Sequence, residues 1–111
     1  VVRTSLTGDV FGAIADPVRR HLLERLATGE LSVTELTEGT GLTTAAVSLH
    51  LKTLVTAGLA RRRISGRYRY YRLDPAPLRA VADWASALEN FWNERADRLK
   101  GLAESSDEPR D

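Results

Sequence analysis

Two capped helices stand in close succession in the middle of this chain, and straight after the second the periodicity changes from helical to alternating. Ser32-Val33-Thr34-Glu35 has the pattern of a capping box, with Leu31 and Leu36 placed as a hydrophobic staple. That helix is short and ends near Gly39 and Gly41. Thr43 caps the next, with Leu42 and Val47 as a second staple, and it runs to Ala57 before Gly58 offers a left-handed C′ position. Two capped helices around a glycine-bearing turn predict a helix-turn-helix. Leu59 to Ile64, Ser65-Gly66-Arg67 and Tyr68 to Leu73 then read as two short β runs around a glycine turn, a hairpin wing.

The flanks complete the pattern. Asp16-Pro17 is a cap followed by proline at the first helical position, and Val18, Leu22, Leu23 and Leu26 recur on one face until Gly29. Asp74-Pro75 is read as the cap of a long last helix. Its apolar positions, Leu78, Val81, Ala85, Leu88, Trp92, Leu99 and Leu102, follow a three-four spacing with Arg95 in the one polar slot. Trp84 and Phe91 widen the stripe. The seam could cover the domain's own core, with the Trp residues as ordinary packing, but in 111 residues there is little core left to cover after three helices, so the favoured reading is packing against a second copy of the chain. The expected dimer interface is Phe11, Leu78, Val81, Ala85, Leu88, Trp92 and Leu99. The expected fold class is mainly α with a small β-hairpin: a winged helix-turn-helix with a long C-terminal dimerisation helix over about 75–102. It forms one domain over 1–103, with a flexible acidic tail at 104–111.

Charge is sorted along the chain. Of 16 bases and 15 acids, seven bases and no acid fall between Thr43 and Leu73, so the remainder is net negative. The seven are Lys52, Arg61, Arg62, Arg63, Arg67, Arg69 and Arg72. A cationic segment on a near-neutral protein is expected where a polyanion docks, since each cation on a phosphate releases counterions. The alternative is a solvated surface that happens to be basic; taken with the helix-turn-helix and its wing, the favoured partner is double-stranded DNA.

On the helix after the turn, Val47, Leu51, Leu54 and Val55 cluster by the 3.6 period and are assigned to the core. The opposite side, Ala45, Leu49 and Lys52 flanked by Thr44 and Ser48, is assigned to the major groove. Lys52 reaches a phosphate or guanine, Thr44 and Ser48 donate to phosphates or base edges, and Leu49 and Ala45 meet thymine methyls. Leu49 has a second reading, as a residue half-buried against the first helix. His50 lies at the edge of the two faces, where one reading is a ring buried on a neighbouring carbonyl. In the wing, Arg67 beside the turn glycine is the minor-groove candidate, and Arg61, Arg63 and Arg69 are assigned to phosphates. Alternation puts Tyr68 and Tyr70 on one face and Tyr71 and Leu73, read as packing, on the other. Arg69 shares the Tyr71 face, which conflicts with a phosphate role unless the wing twists or the assignment slips near the tip.

Other chemistries have little support. Ser48 and His50, two apart on a helix, cannot face one another, and no glycine-rich phosphate loop or paired carboxylates are present, so no enzyme is expected. The chain has no cysteine, which excludes disulfides and thiolate metal sites. His21 and His50 lack partners at ligand spacing, and no metal or other cofactor is expected. No apolar stretch approaches the roughly 18 residues of a membrane span, and the first residues lack a signal peptide's apolar core; the expectation is a cytoplasmic protein with no membrane contact.

The element order, together with Val47-Ser48-Leu49-His50-Leu51-Lys52-Thr53-Leu54, Ala57-Gly58-Leu59, Tyr70-Tyr71-Arg72-Leu73 and the opening Ala15-Asp16-Pro17-Val18-Arg19, resembles the ArsR/SmtB family of bacterial winged-helix regulators. The resemblance covers roughly Val10 to Leu102. It implies a homodimer on a palindromic operator, usually a repressor, that releases DNA when an inducer arrives. It also implies a place for His50 at the DNA interface, favoured here over the buried ring. The family's metal sensors carry a Cys-x-Cys pair before the turn, where this sequence has Ser32 and Thr34 in Leu31-Ser32-Val33-Thr34-Glu35-Leu36. A second family site uses Asp and His on the last helix, where this chain has Asp83 and Glu94 but no His. Hydroxyls are poor ligands for soft metals, so the expected regulator does not respond to metal. The aromatic-rich last helix is similar to that of members without metal ligands. Two alternatives stay open. One is a sensor of an unknown small-molecule effector, with a pocket between first and last helices lined by Phe11, Trp84, Leu88 and Phe91. The other is a protein-interaction module with an incidental basic wing.

Overall fold

A computed structural model describes residues 9–107, with side chains described for 9–104. The elements run α1 (Val10–Ala13), α2 (Pro17–Leu26), β1 (Leu31–Ser32), α3 (Val33–Thr37), α4 (Thr44–Thr56), β2 (Ala60–Ser65), β3 (Tyr68–Leu73) and α5 (Leu78–Asp107). The described residues group into two compact units, one ending at Arg79 and the other starting at Ala80, where the sequence suggested one domain over 1–103. The described residues of the second unit are helix alone, so contacts among them are between near neighbours in the chain.

Local chemistry fixes most boundaries. Asp16 Oδ1 accepts from the main-chain N–H of Val18 at 2.7 Å and of Arg19 at 3.3 Å, with Pro17 at the first helical position. Ser32 Oγ accepts from Glu35 N at 3.1 Å while Glu35 Oε1 accepts from Ser32 N at 3.0 Å, the reciprocal pair of a capping box. Hydrogen bonds to its carboxylate, from the Ser32 N–H first and the Ser32 hydroxyl second, hold the Glu35 carboxyl below its ordinary range. Thr43 Oγ1 accepts from Ala46 N at 3.1 Å and starts α4. At its other end Gly58 N donates to Val55 O at 3.0 Å and Leu59 N to Leu54 O at 2.9 Å, a Schellman ending that needs the left-handed Gly58, φ +79°. A Cβ there would also meet Pro77 Cγ at 3.4 Å.

The core of the first unit is built by α2, α3, α4 and the entry to β2. Leu22, Leu26, Leu36, Val47, Leu51, Leu54 and Leu59 are fully buried within it. The expected face of α2 is seen: Leu22, Leu23 and Leu26 are buried, and Val18 is half-buried.

Three features differ from expectation. The hairpin is part of a three-stranded antiparallel sheet of order β1-β3-β2, because Leu31 and Ser32 pair with Tyr71 and Tyr70. The last helix starts at Leu78, not near 75. Asp74 Oδ1 instead accepts from Ala76 N at 3.2 Å in a turn, and Pro77 disfavours helical geometry at the residue before it. At its far end α5 continues to Asp107, so the first four residues of the expected flexible tail are helical. Glu108 to Asp111 and the opening eight residues, read as lacking a signal peptide's core, lie outside the described residues. Among the described residues no helix is long and apolar enough to cross a membrane.

Candidate nucleic-acid interface

The 3.6 period divides α4 into two faces. Val47, Leu51 and Leu54 point into the core. On the other side Ala45, Ser48, Leu49, Lys52, Val55 and Thr56 line one wall of an open cleft of about 850 Å³, whose other wall is Arg62, Arg69 and Tyr71 of the wing. Thr44 is exposed at the start of the helix. Leu49, for which two readings stood open, is 68% exposed. Val55, assigned to the core, is instead 37% exposed and lines the cleft. It sits one residue past Leu54, far enough round the helix to leave the buried stripe.

The wing faces this cleft with a defined register. Ser65 pairs with Tyr68 across a two-residue turn in which Gly66 comes first with φ +61°, the glycine position of a type II′ hairpin. Arg62 opposes Tyr71 and Ile64 opposes Arg69, so Arg62, Arg69 and Tyr71 share a face. Tyr71 is 3% exposed, as its packing role required. Arg69 Nη2 donates to Ser48 Oγ at 3.3 Å. Alternation therefore holds to the tip: Arg69 faces the cleft because the cleft lies on the Tyr71 side.

On the other face, two of the arginines assigned to phosphates are paired with acids. Arg61 Nε donates to Asp74 Oδ2 at 2.8 Å. Arg63 makes a two-point bond to Glu30, Nη2 to Oε1 at 2.7 Å and Nε to Oε2 at 3.2 Å, with its guanidinium 4.7 Å from the centre of the Tyr70 ring. Hydrogen bonds from these arginines are the main reason the Glu30 and Asp74 carboxyls lie below their ordinary range. Arg61 and Arg63 are thus held on acids away from the cleft, whereas Arg62, not singled out in the sequence, faces it. The parity of the strand carried that information: Arg62 is the residue of the triplet in phase with Arg69. Arg67 is exposed at the turn.

His50 is half-buried, and the partner of its Nδ1 is a guanidinium and not a carbonyl. Its Nδ1 accepts from Arg19 Nη1 at 3.3 Å. His21 is exposed. Ser32, at one thiolate position of the metal sensors, is buried and engaged as a helix cap, and Thr34 is exposed. Of the expected interface residues, Phe11 is 36% exposed in the first unit, while Leu78 and Val81 are half-buried. Ala85, Leu88, Trp92 and Leu99 are exposed along α5, as are Trp84 and Phe91 beside them.

The cleft thus places Lys52, Arg62 and Arg69 around hydroxyls and small apolar groups, with no acid among its lining residues. A helix of about 10–12 Å diameter fits a DNA major groove about 12 Å wide. Comparison with known proteins gives the same reading. Residues 16–62 match the family described as "Bacterial regulatory protein, arsR family". The chain is 45% identical over 80 residues to the HTH-type transcriptional regulator Rv2034 of Mycobacterium tuberculosis, covering 72% of each chain. It is 31% identical over 85 residues to the transcriptional repressor SdpR of Bacillus subtilis, covering 77% of this chain and 91% of that one. Its fold matches the crystal structure of an ArsR family transcriptional regulator, RHA00566, with a TM-score of 0.71 and 31% identity over 80% of this chain and 97% of the other. The order of elements, the cationic cleft and these likenesses agree: the chain belongs to the ArsR family of bacterial DNA-binding transcriptional regulators.

Proposed function

We propose that this protein is a homodimeric repressor that lays α4 in the major groove of a palindromic operator and steadies it with the cleft face of its wing. The observation that carries this is the convergence of Lys52, Arg62 and Arg69 on the exposed face of α4 with no acid beside them. Lys52 serves as base-edge or phosphate donor, with Thr44, Ser48, Ala45 and Leu49 in the groove. Arg62, Arg69 and Arg67 serve as phosphate or minor-groove contacts. Arg61 and Arg63 hold the wing through Asp74 and Glu30 and contribute little to the DNA charge count.

A salt titration of operator binding tests the division. Arg62→Ala is expected to lower the slope of log affinity on log salt by about one unit, the loss of one phosphate contact. Arg63→Ala should leave that slope near wild type. Lys52→Ala should cost about 1–3 kcal/mol on the cognate site and little on scrambled DNA if it reads guanine. Equal slope changes for Arg62→Ala and Arg63→Ala would overturn the face assignment.

The regulator is further read as indifferent to metal. Support comes from the use of Ser32 as a helix cap and from the poor affinity of hydroxyls for soft ions. Zinc, cadmium or arsenite should leave the operator complex unchanged in a mobility-shift assay. Stoichiometric metal binding that releases DNA would overturn this part of the proposal.

A further inference from the structure

Arg19 is tied to three parts of the first unit at once. Its Nε donates to Ala13 O at 2.7 Å and its Nη2 to Gly12 O at 3.2 Å, both in α1. Its Nη1 donates to His50 Nδ1 on α4 at 3.3 Å and lies 3.9 Å from Asp16 Oδ2. Burial pushes the Asp16 carboxyl up, but the hydrogen bonds from the N–H groups of Arg19 and Val18, with the charge of Arg19 beside it, outweigh it and hold it below its ordinary range. That carboxylate therefore stays an anion beside the guanidinium.

A guanidinium has donors only and stays charged. In its bond to His50 the ring nitrogen Nδ1 must therefore be the acceptor, which means it carries no proton. A neutral imidazole in that state bears its hydrogen on Nε2. His50 sits between Leu49, on the cleft face, and Leu51, in the core, so the direction of its ring bears on the edge of the proposed DNA surface. We propose that Arg19 is a positioning residue for DNA binding: by donating to Nδ1 it fixes the rotation of the His50 ring and makes Nε2–H the donor available to a phosphate oxygen or base acceptor. This rests on the reading that α4 docks on DNA. It also links the α1–α2 corner to the docking helix through one side chain.

The first measurement is nitrogen NMR of the His50 ring in the full chain without DNA. Nδ1 should show the shift of an unprotonated nitrogen and Nε2 that of a protonated one; Arg19→Ala should move both toward the average of the two tautomers. A ring protonated on Nδ1 in the wild type would overturn the proposal. The second is a double-mutant cycle on operator affinity. Arg19→Ala should weaken binding about tenfold, the scale of one lost hydrogen bond to a charged group, when His50 is present, and much less in a His50→Gln background. His50→Gln, whose amide reaches the Nε2 position, should bind better than His50→Asn, whose shorter amide reaches only the Nδ1 position. Should Arg19→Ala fail to fold, Arg19→Lys replaces it, because a single ammonium cannot hold both carbonyls and the ring. Equal losses from the Arg19 change with and without His50 would overturn the positioning role. Failure of the docking reading would look different: Lys52→Ala and Arg62→Ala would bind as wild type while the ring signature stayed as stated.

Discussion

Leu88→Glu is expected to yield monomers and to reduce operator affinity by about 10²–10⁴-fold, the range of avidity lost when two linked half-sites are no longer bridged. Leu88 is 55% exposed and Trp92 66% exposed, with Leu99 and Leu102 further along the same 30-residue helix. A row of large apolar side chains of this length supports the proposed self-association. Since Leu88 leaves no cavity when replaced, the first unit should keep its melting temperature, and the loss should fall on assembly alone. Sedimentation at micromolar protein, paired with operator titration, checks both halves. An unchanged dimer would move the interface elsewhere, and a monomer with full operator affinity would remove the need for two half-sites.

Leu51→Ala should destabilise the first unit by about 2–5 kcal/mol, the cost of removing a fully enclosed leucine. That is a large share of the roughly 5–15 kcal/mol by which such a domain is folded. Leu51 is 0% exposed, whereas Leu49, two residues earlier on the same helix, is 68% exposed. Leu49→Ala should therefore change stability by no more than about 0.5 kcal/mol and affect binding instead. Urea melts of the two variants beside wild type separate core from docking face. A wild-type midpoint for Leu51→Ala would mean that α4 is rotated from the orientation described.

Much of the fold is legible in the sequence wherever one turn of chain contains its own cause. Asp16, the Ser32–Glu35 pair, Thr43 and Gly58 each bond within a few residues, and each marks a boundary that residue types alone predict. The elements that escaped are short or paired at a distance. α1 has four residues and no side-chain cap from Asp9, and β1 consists of two residues whose partners lie about forty positions on. The site divides in the same way. Helical period separated Leu49 and Lys52 from Leu51, but Val55 sits at the margin of the stripe, where a single residue's rotation decides. Strand alternation placed Arg69 with Tyr71, and the sheet bears that out. What residue types could not supply were the acids. Glu30 is 33 residues from Arg63, so the neutralisation of Arg63 is a product of tertiary packing.

Those acids bear on how faithfully the wing can form. Arg61, Arg62 and Arg63 are chemically identical, and a strand displaced by one residue would exchange its two faces while still offering arginine at every position of the triplet. Hydrophobic patterning, the usual guard against such a slip, is weak in a strand whose side chains are exposed from Arg61 to Ser65. Glu30 and Asp74 break the degeneracy. In the native alignment each meets an arginine in hydrogen-bonding reach; in the displaced one Arg62 alone would turn toward them and one carboxylate would be left without its partner. The two carboxylates therefore favour the native alignment over the displaced one, and a chain lacking both is expected to populate misaligned hairpins during refolding even where its finished structure is unchanged.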